Sequence, residues 1–160
     1  METAFLAGFM VVYFAVLMFS VAVGVVYLVA LWKLFEKAGE PGWKALIPYY
    51  NFFEMTRLAT GKYTLAIVYL LLCVPYMIFY FIGVITDEIM IALFGFLFII
   101  PVVVLWGYIG YQFGKAYGKS SGVCVAMIFF RQIVCIVIGF DKDTQYIGPK
   151  GVPDEEKYYY

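Results

Sequence analysis

Long uncharged runs separated by short polar breaks organise this chain. Residues 3–32, 63–86 and 89–114 carry no charge at all. A bilayer core of about 30 Å is crossed by about 20 apolar residues of helix, so these runs predict spans over 4–32, 63–86 and 89–114. A fourth run, 120–140, is apolar except for Arg131 and Gln132 at its centre, and it is read as a fourth span that crosses. Only Asp87 and Glu88 part the second and third runs, which predicts a tight antiparallel hairpin with its acidic tip in water. The fold class expected is all-α. It is an integral membrane bundle of about four transmembrane helices over 1–140, with a polar C-terminal tail over 141–160.

The connections carry the orientation. Lys33, Lys37, Lys44, Arg57 and Lys62 lie between the first two spans, and Lys115 and Lys119 follow the third. The N-terminus and the Asp87–Glu88 turn hold no basic residue. The excess of lysine and arginine on cytoplasmic loops then puts the N-terminus outside a cell (inner) membrane. Lys142, Lys150 and Lys157 in the tail conflict with a crossing fourth span, and a re-entrant segment would remove that conflict. The first run is too long for a signal peptide and lacks a basic leader.

The first cytoplasmic loop has local signals of its own. Helix continues through Lys37 and stops at Gly39, before the turn residues Glu40, Pro41 and Gly42. Residues 43–47 suit one helical turn ended by Pro48. Asn51 reads as an N-cap with Glu54 three residues on, opening a short interfacial helix over 52–59 that ends near Gly61. Trp43, Tyr49, Tyr50 and Asn51, set among lysines, belong in the headgroup zone.

Composition agrees with lipid as solvent. Apolar residues make up 65% of the chain and charged residues 14%, against about 45–50% and about 25% in soluble proteins. With 11 basic and 11 acidic residues the net charge is zero, which argues against nucleic acid as a partner. Histidine is absent, removing the commonest general base and metal ligand. Cys73, Cys124 and Cys135 lie in apolar runs without a paired spacing and are read as packing residues. The 15 tyrosines and 16 phenylalanines suit interfaces and packing. No catalytic, cofactor or metal site is expected, and the chain is not read as an enzyme.

Three features remain. Gly110, Gly114 and Gly118 form overlapping G-x-x-x-G steps, a spacing that lets helix backbones approach closely. Pro75 and Pro101 sit at matching depth in the second and third runs as candidate kinks. Arg131, with Gln132, is the candidate intramembrane polar site. An arginine at mid-span is expensive unless it pairs, snorkels or faces water, and no acidic residue lies inside the four runs. It can bind carbonyls or a tyrosine, meet an anionic lipid or solute, or pair with another subunit.

The segment from Leu31 to Asn51, with its Lys37-Ala38-Gly39, Pro41-Gly42-Trp43 and Ile47-Pro48-Tyr49-Tyr50-Asn51 steps, resembles the signature of an uncharacterised family of small prokaryotic membrane proteins. Phe113-Gly114-Lys115-Ala116-Tyr117-Gly118-Lys119-Ser120 and Gln145-Tyr146-Ile147-Gly148-Pro149 are similar to further family motifs. The resemblance implies a four-span membrane domain of unknown activity. Relatives tend to be apolar at Arg131–Gln132, which makes a role of Arg131 particular to this chain. Some relatives are labelled signal peptidase, a chemistry these residues do not support, since the serine–lysine site and large external domain it needs are missing. The function expected is an accessory or scaffold subunit of a larger membrane complex, with the lipid bilayer, other subunits or itself as partners. The alternative is a small transporter, channel or lipid-binding protein.

Overall fold

The computed structural model describes residues 2–152. They form α1 (Glu2–Lys37), a 3-10 turn (Gly42–Leu46), α2 (Tyr50–Thr60), α3 (Thr64–Ile85), α4 (Ile89–Ala116), α5 (Ser121–Phe129), α6 (Arg131–Phe140) and a last 3-10 turn (Pro149–Gly151). Three stretches are long and apolar enough to cross a membrane: Gly8–Lys37 of α1, then α3 and α4. Helix is the form such segments must take, because it satisfies every backbone polar group internally. α1 stops where Gly39 turns left-handed at φ 77°, and α2 stops at Gly61 with φ 81°.

The fourth run does not form a span. It is two helices of 9 and 10 residues, each about 14–15 Å long at 1.5 Å per residue, half a bilayer core. The break is at Phe130, with φ −121° and ψ 41°. α5 descends along α4, where a β-carbon at Gly114 would touch Cys124 and one at Gly107 would touch Ile128. α6 returns along α1, and a β-carbon at Gly139 would lie 2.8 Å from the Ala30 carbonyl. Lys119 and Asp141, just before α5 and just after α6, form an ion pair at 2.9 Å. Lys37 Nζ closes the same end, donating to the carbonyls of Ile138 (2.8 Å) and Asp141 (2.5 Å). The segment therefore enters and leaves at one face, correcting the fourth-span reading. At the break Arg131 turns onto Trp106 of α4.

Among the described residues, the main hydrophobic core lies at the end of the molecule that bears the α1–α2 loop. Leu31, Leu34 and Phe35 of α1, Leu58 of α2, Phe113 of α4, Met127 of α5 and Ile138 of α6 meet there. Tyr117 ties the layers by donating to the Leu34 carbonyl at 2.6 Å. At the other end, α3 and α4 pack on each other through rings such as Phe79 and Phe94, centroids 5.3 Å apart. The side chains of α1 from Phe9 to Phe19 are exposed there; hydrocarbon is the solvent they suit.

One further expectation is revised. α2 begins at Tyr50, and no side chain caps it. Asn51 instead donates to the Ala45 carbonyl at 3.3 Å, while Glu54 is drawn into an ion cluster described below. The tail up to Val152 packs on its own chain: Ile147 N donates to the Ala116 carbonyl at 2.8 Å and Tyr146 Oη to that of Leu58 at 2.9 Å. The tyrosine-rich end of the tail, 153–160, lies outside the described residues.

Candidate functional site

Arg131 is the first residue of α6 and only 5% exposed. Its guanidinium lies over the Trp106 ring, 3.6 Å from the centroid. Nη2 donates to the Trp106 carbonyl, and Nη1 lies 3.9 Å from Met55 Sδ. Nε is buried without a partner among the described residues. No carboxylate among them pairs with Arg131 either, since the ion pairs of Glu40, Glu54 and Asp141 all go elsewhere. The charge thus sits on an aromatic face and a carbonyl dipole, without a counter-ion among the described residues.

Depth makes this unusual. Trp106 precedes Ala116 by ten residues of α4 and Tyr27 precedes Lys37 by ten residues of α1, about 15 Å of helix in each case. Arg131 lies beside Trp106 and shares a cavity with Tyr27 and Tyr69, inside the apolar stretches of α1, α3 and α4. A cation at the centre of a bilayer costs about 2.5–3.5 kcal/mol on insertion scales, and a desolvated cation–π contact returns about 2 kcal/mol or more.

Two cavities flank the arginine. One, of about 290 Å³, is lined by Tyr27, Tyr49, Asn51, Tyr69, Cys73, Trp106 and Arg131 among others, and reaches from the loop to mid-depth. The other, of about 270 Å³, lies at the hairpin tip against Phe129, Phe130 and Gln132, and it too is lined by Trp106 and Arg131. Aromatic rings wall the first: Phe52 and Tyr69 lie 5.8 and 6.1 Å from Trp106 between centroids. Tyr49, at its mouth, holds a left-handed φ of 65°, a conformation that costs a bulky residue of order 1 kcal/mol.

A separate ion cluster fixes the loop beside this site. Glu54, fully buried, accepts from Lys44 Nζ (2.6 Å), from Arg57 Nη2 (2.8 Å) and Nε (3.1 Å), and from Tyr63 Oη (3.0 Å). Glu40 pairs with Lys44 at 2.7 Å and with Arg57. Burial alone would raise Glu40, but its hydrogen bonds from Lys44 and Arg57 outweigh this and hold it below the usual carboxylate range. Its hydrogen bonds to Glu40 and then Glu54 raise Lys44. Two acidic and two basic side chains thus meet in a clasp between the 3-10 turn and α2.

Of the residues singled out in the sequence, Arg131 and Gly110 come together. A β-carbon at Gly110 would lie 2.8 Å from Arg131 Nη2 and 3.1 Å from the Met127 carbonyl; the glycine is what lets the guanidinium reach α4. Gly114 lies against Cys124, whereas Gly118 is outside the helix with φ 66° and faces Ile147. Gln132 is exposed at the tip cavity. α3 and α4 run through Pro75 and Pro101, and neither proline lines the two cavities. Trp43 and Tyr50 stack at 6.3 Å beside Lys44. Trp106, Tyr27, Tyr69 and Met55 were not singled out, because aromatic and methionine side chains in apolar runs look like packing. The usable signal was Gly110, which one turn after Trp106 bares that residue's carbonyl.

A family model described as a family of unknown function (DUF5684) matches residues 43–149. The chain belongs to that family, whose matched region takes in α2 to α6 and every residue around Arg131 except Tyr27. No curated protein and no solved structure matches the chain.

Proposed function

We propose, from that family membership as premise, that this chain binds an anionic membrane amphiphile, its phosphate or carboxylate headgroup held at Arg131 and its chains lying between α1 and α3. The observation that carries this reading is the buried guanidinium, with neither a counter-ion nor a partner for Nε among the described residues, lining an open cavity with aromatic walls. About 290 Å³ falls near the lower end of small-molecule sites, about 300–1,000 Å³, enough for a headgroup when the acyl chains remain in the bilayer. The role is binding and not catalysis. The membrane is the cell membrane, with the loop face cytoplasmic and the N-terminus outside, as the lysine distribution supports.

The test is native mass spectrometry of protein extracted gently from its own membrane, beside Arg131→Gln and Arg131→Lys. A charge-assisted hydrogen bond is worth about 1.5–3 kcal/mol, so Arg131→Gln should lose bound anionic phospholipid by about tenfold or more, with Arg131→Lys between. Competition with inorganic phosphate separates a lipid site from a free-anion site. Equal lipid on wild type and Arg131→Gln would overturn the reading. A second reading, an accessory subunit of a larger complex, is favoured by the outer half of α1, whose side chains from Phe9 to Phe19 are exposed; stoichiometric protein partners in the same spectra would establish it.

A further inference from the structure

The cavity that Tyr49 and Asn51 share with Arg131 is chemically one-sided. Among the described residues that line it, Arg131 is the one charged side chain, and no carboxylate is present. The other titratable side chains are the phenols of Tyr27, Tyr49 and Tyr69 and the thiol of Cys73, uncharged in their protonated forms. The four charges of the neighbouring clasp pair with one another and do not line it. A ligand there meets one positive charge. Tyr27 of α1 and Tyr69 of α3 both lie within electrostatic reach of the guanidinium. Tyr69 interacts with the Cys73 thiol, whereas the Tyr27 hydroxyl has no hydrogen-bond partner among the described residues. Arg131 Nε is unpartnered among them too, so two donors of one cavity lack an acceptor.

We infer that the cavity selects headgroups of a single net negative charge, a phosphodiester over a phosphomonoester dianion, and that the Tyr27 hydroxyl is the second donor to the bound oxygens. Arg131 balances one negative charge. A second would be buried without a partner, which is costly, and an unpaired charge is a means of rejecting the wrong ligand. A zwitterionic headgroup is rejected from the other side, because its ammonium would meet Arg131 and find no carboxylate. This rests on the headgroup-binding role of Arg131 and specifies the ligand.

The experiment uses the full chain in a neutral detergent, titrated with phosphatidylglycerol, phosphatidic acid or phosphatidylcholine of the same acyl chains. Bound lipid is quantified by mass spectrometry at about pH 5 and about pH 7.5, either side of a second phosphate pKa of about 6. Phosphatidylglycerol, a monoanion at both, should bind equally well. Phosphatidic acid should bind about tenfold or more weakly at the higher pH, the reverse of what a merely basic surface does with a growing charge. Tyr27→Phe should weaken phosphatidylglycerol by about tenfold, the loss of one hydrogen bond to a charged group, and leave the melting temperature of the lipid-free protein unchanged. Phosphatidic acid binding as tightly or more tightly at the higher pH overturns the single-charge selection, in wild type and without any variant. Phosphatidylglycerol bound equally by Tyr27→Phe and wild type overturns the role of that hydroxyl. Both results leave the binding role of Arg131 standing. Anionic lipids bound no better than phosphatidylcholine, or equally by Arg131→Gln, overturn the binding role and the inference with it.

Discussion

Gly110 decides how Arg131 is held. Because a β-carbon there would press on both Nη2 and the Met127 carbonyl, Gly110→Ala must either lift the α5–α6 hairpin from α4 or swing the guanidinium off the Trp106 carbonyl. Overpacking of this kind costs about 1–3 kcal/mol. Gly114→Ala provides the comparison, since its β-carbon would lie 2.9 Å from Cys124 Sγ, away from the arginine. Both variants should unfold at lower temperature in detergent, but only Gly110→Ala should also lose the stabilisation that added phosphatidylglycerol gives wild type. If both variants kept the full lipid response, Gly110 would be a packing residue and nothing more. Arg131 was legible in the sequence because a charge in an apolar run is conspicuous. Its partners were not, since Trp106 differs from its apolar neighbours only in what folds against it.

The α5–α6 hairpin was the element least legible in the sequence. Helix ends at Gly39 and Gly61 could be read because glycine adopts the left-handed conformation each end needs. Phe130 carries no such mark; a phenylalanine in an apolar run predicts continuation. The signals present were the polar pair Arg131–Gln132 and the lysines of the tail, which fit a returning segment and conflict with a crossing one. The hairpin is closed at Asp141, whose carboxylate accepts from Thr144 Oγ1 (2.5 Å), from Asp143 N (3.1 Å) and from Lys119 Nζ (2.9 Å). Thr144 first, then Lys119, holds this carboxyl well below the usual range. A depressed pKa means that the closure is complete above the ordinary aspartate pKa and fades only as the pH falls from there toward the depressed value. Hydrogen exchange over 121–140, corrected for intrinsic rates, should thus be unchanged between neutral pH and mild acid in wild type, and faster at neutral pH in Asp141→Asn. Wild type opening in mild acid as readily as Asp141→Asn does at neutral pH would rule out this closure.

At the scale of the molecule, the re-entrant hairpin settles where the polar mass lies. The α1–α2 loop with its four-charge clasp, the α4–α5 link and the tail as far as Val152 all gather at one face, through contacts such as Ile147 to Ala116 and Tyr146 to Leu58. The Asp87–Glu88 turn is at the far end of the α3–α4 hairpin. With three candidate crossings and α5–α6 folded back on itself, every basic connection, including Lys142 and Lys150, would fall on the same side, so the lysine distribution and the packing agree where four crossings would set them against each other. The arrangement can be tested in cells. With Cys73 replaced by serine and Cys124 and Cys135 buried, single cysteines at Lys62, Lys142 and Glu88 report their side through a membrane-impermeant maleimide. Glu88→Cys should label in intact cells, and Lys62→Cys and Lys142→Cys only after permeabilisation. Labelling of Lys142→Cys together with Glu88→Cys would mean that 120–140 crosses after all. The Lys119–Asp141 pair could not then hold in the membrane, and a guanidinium at mid-depth would have to be matched from outside this chain.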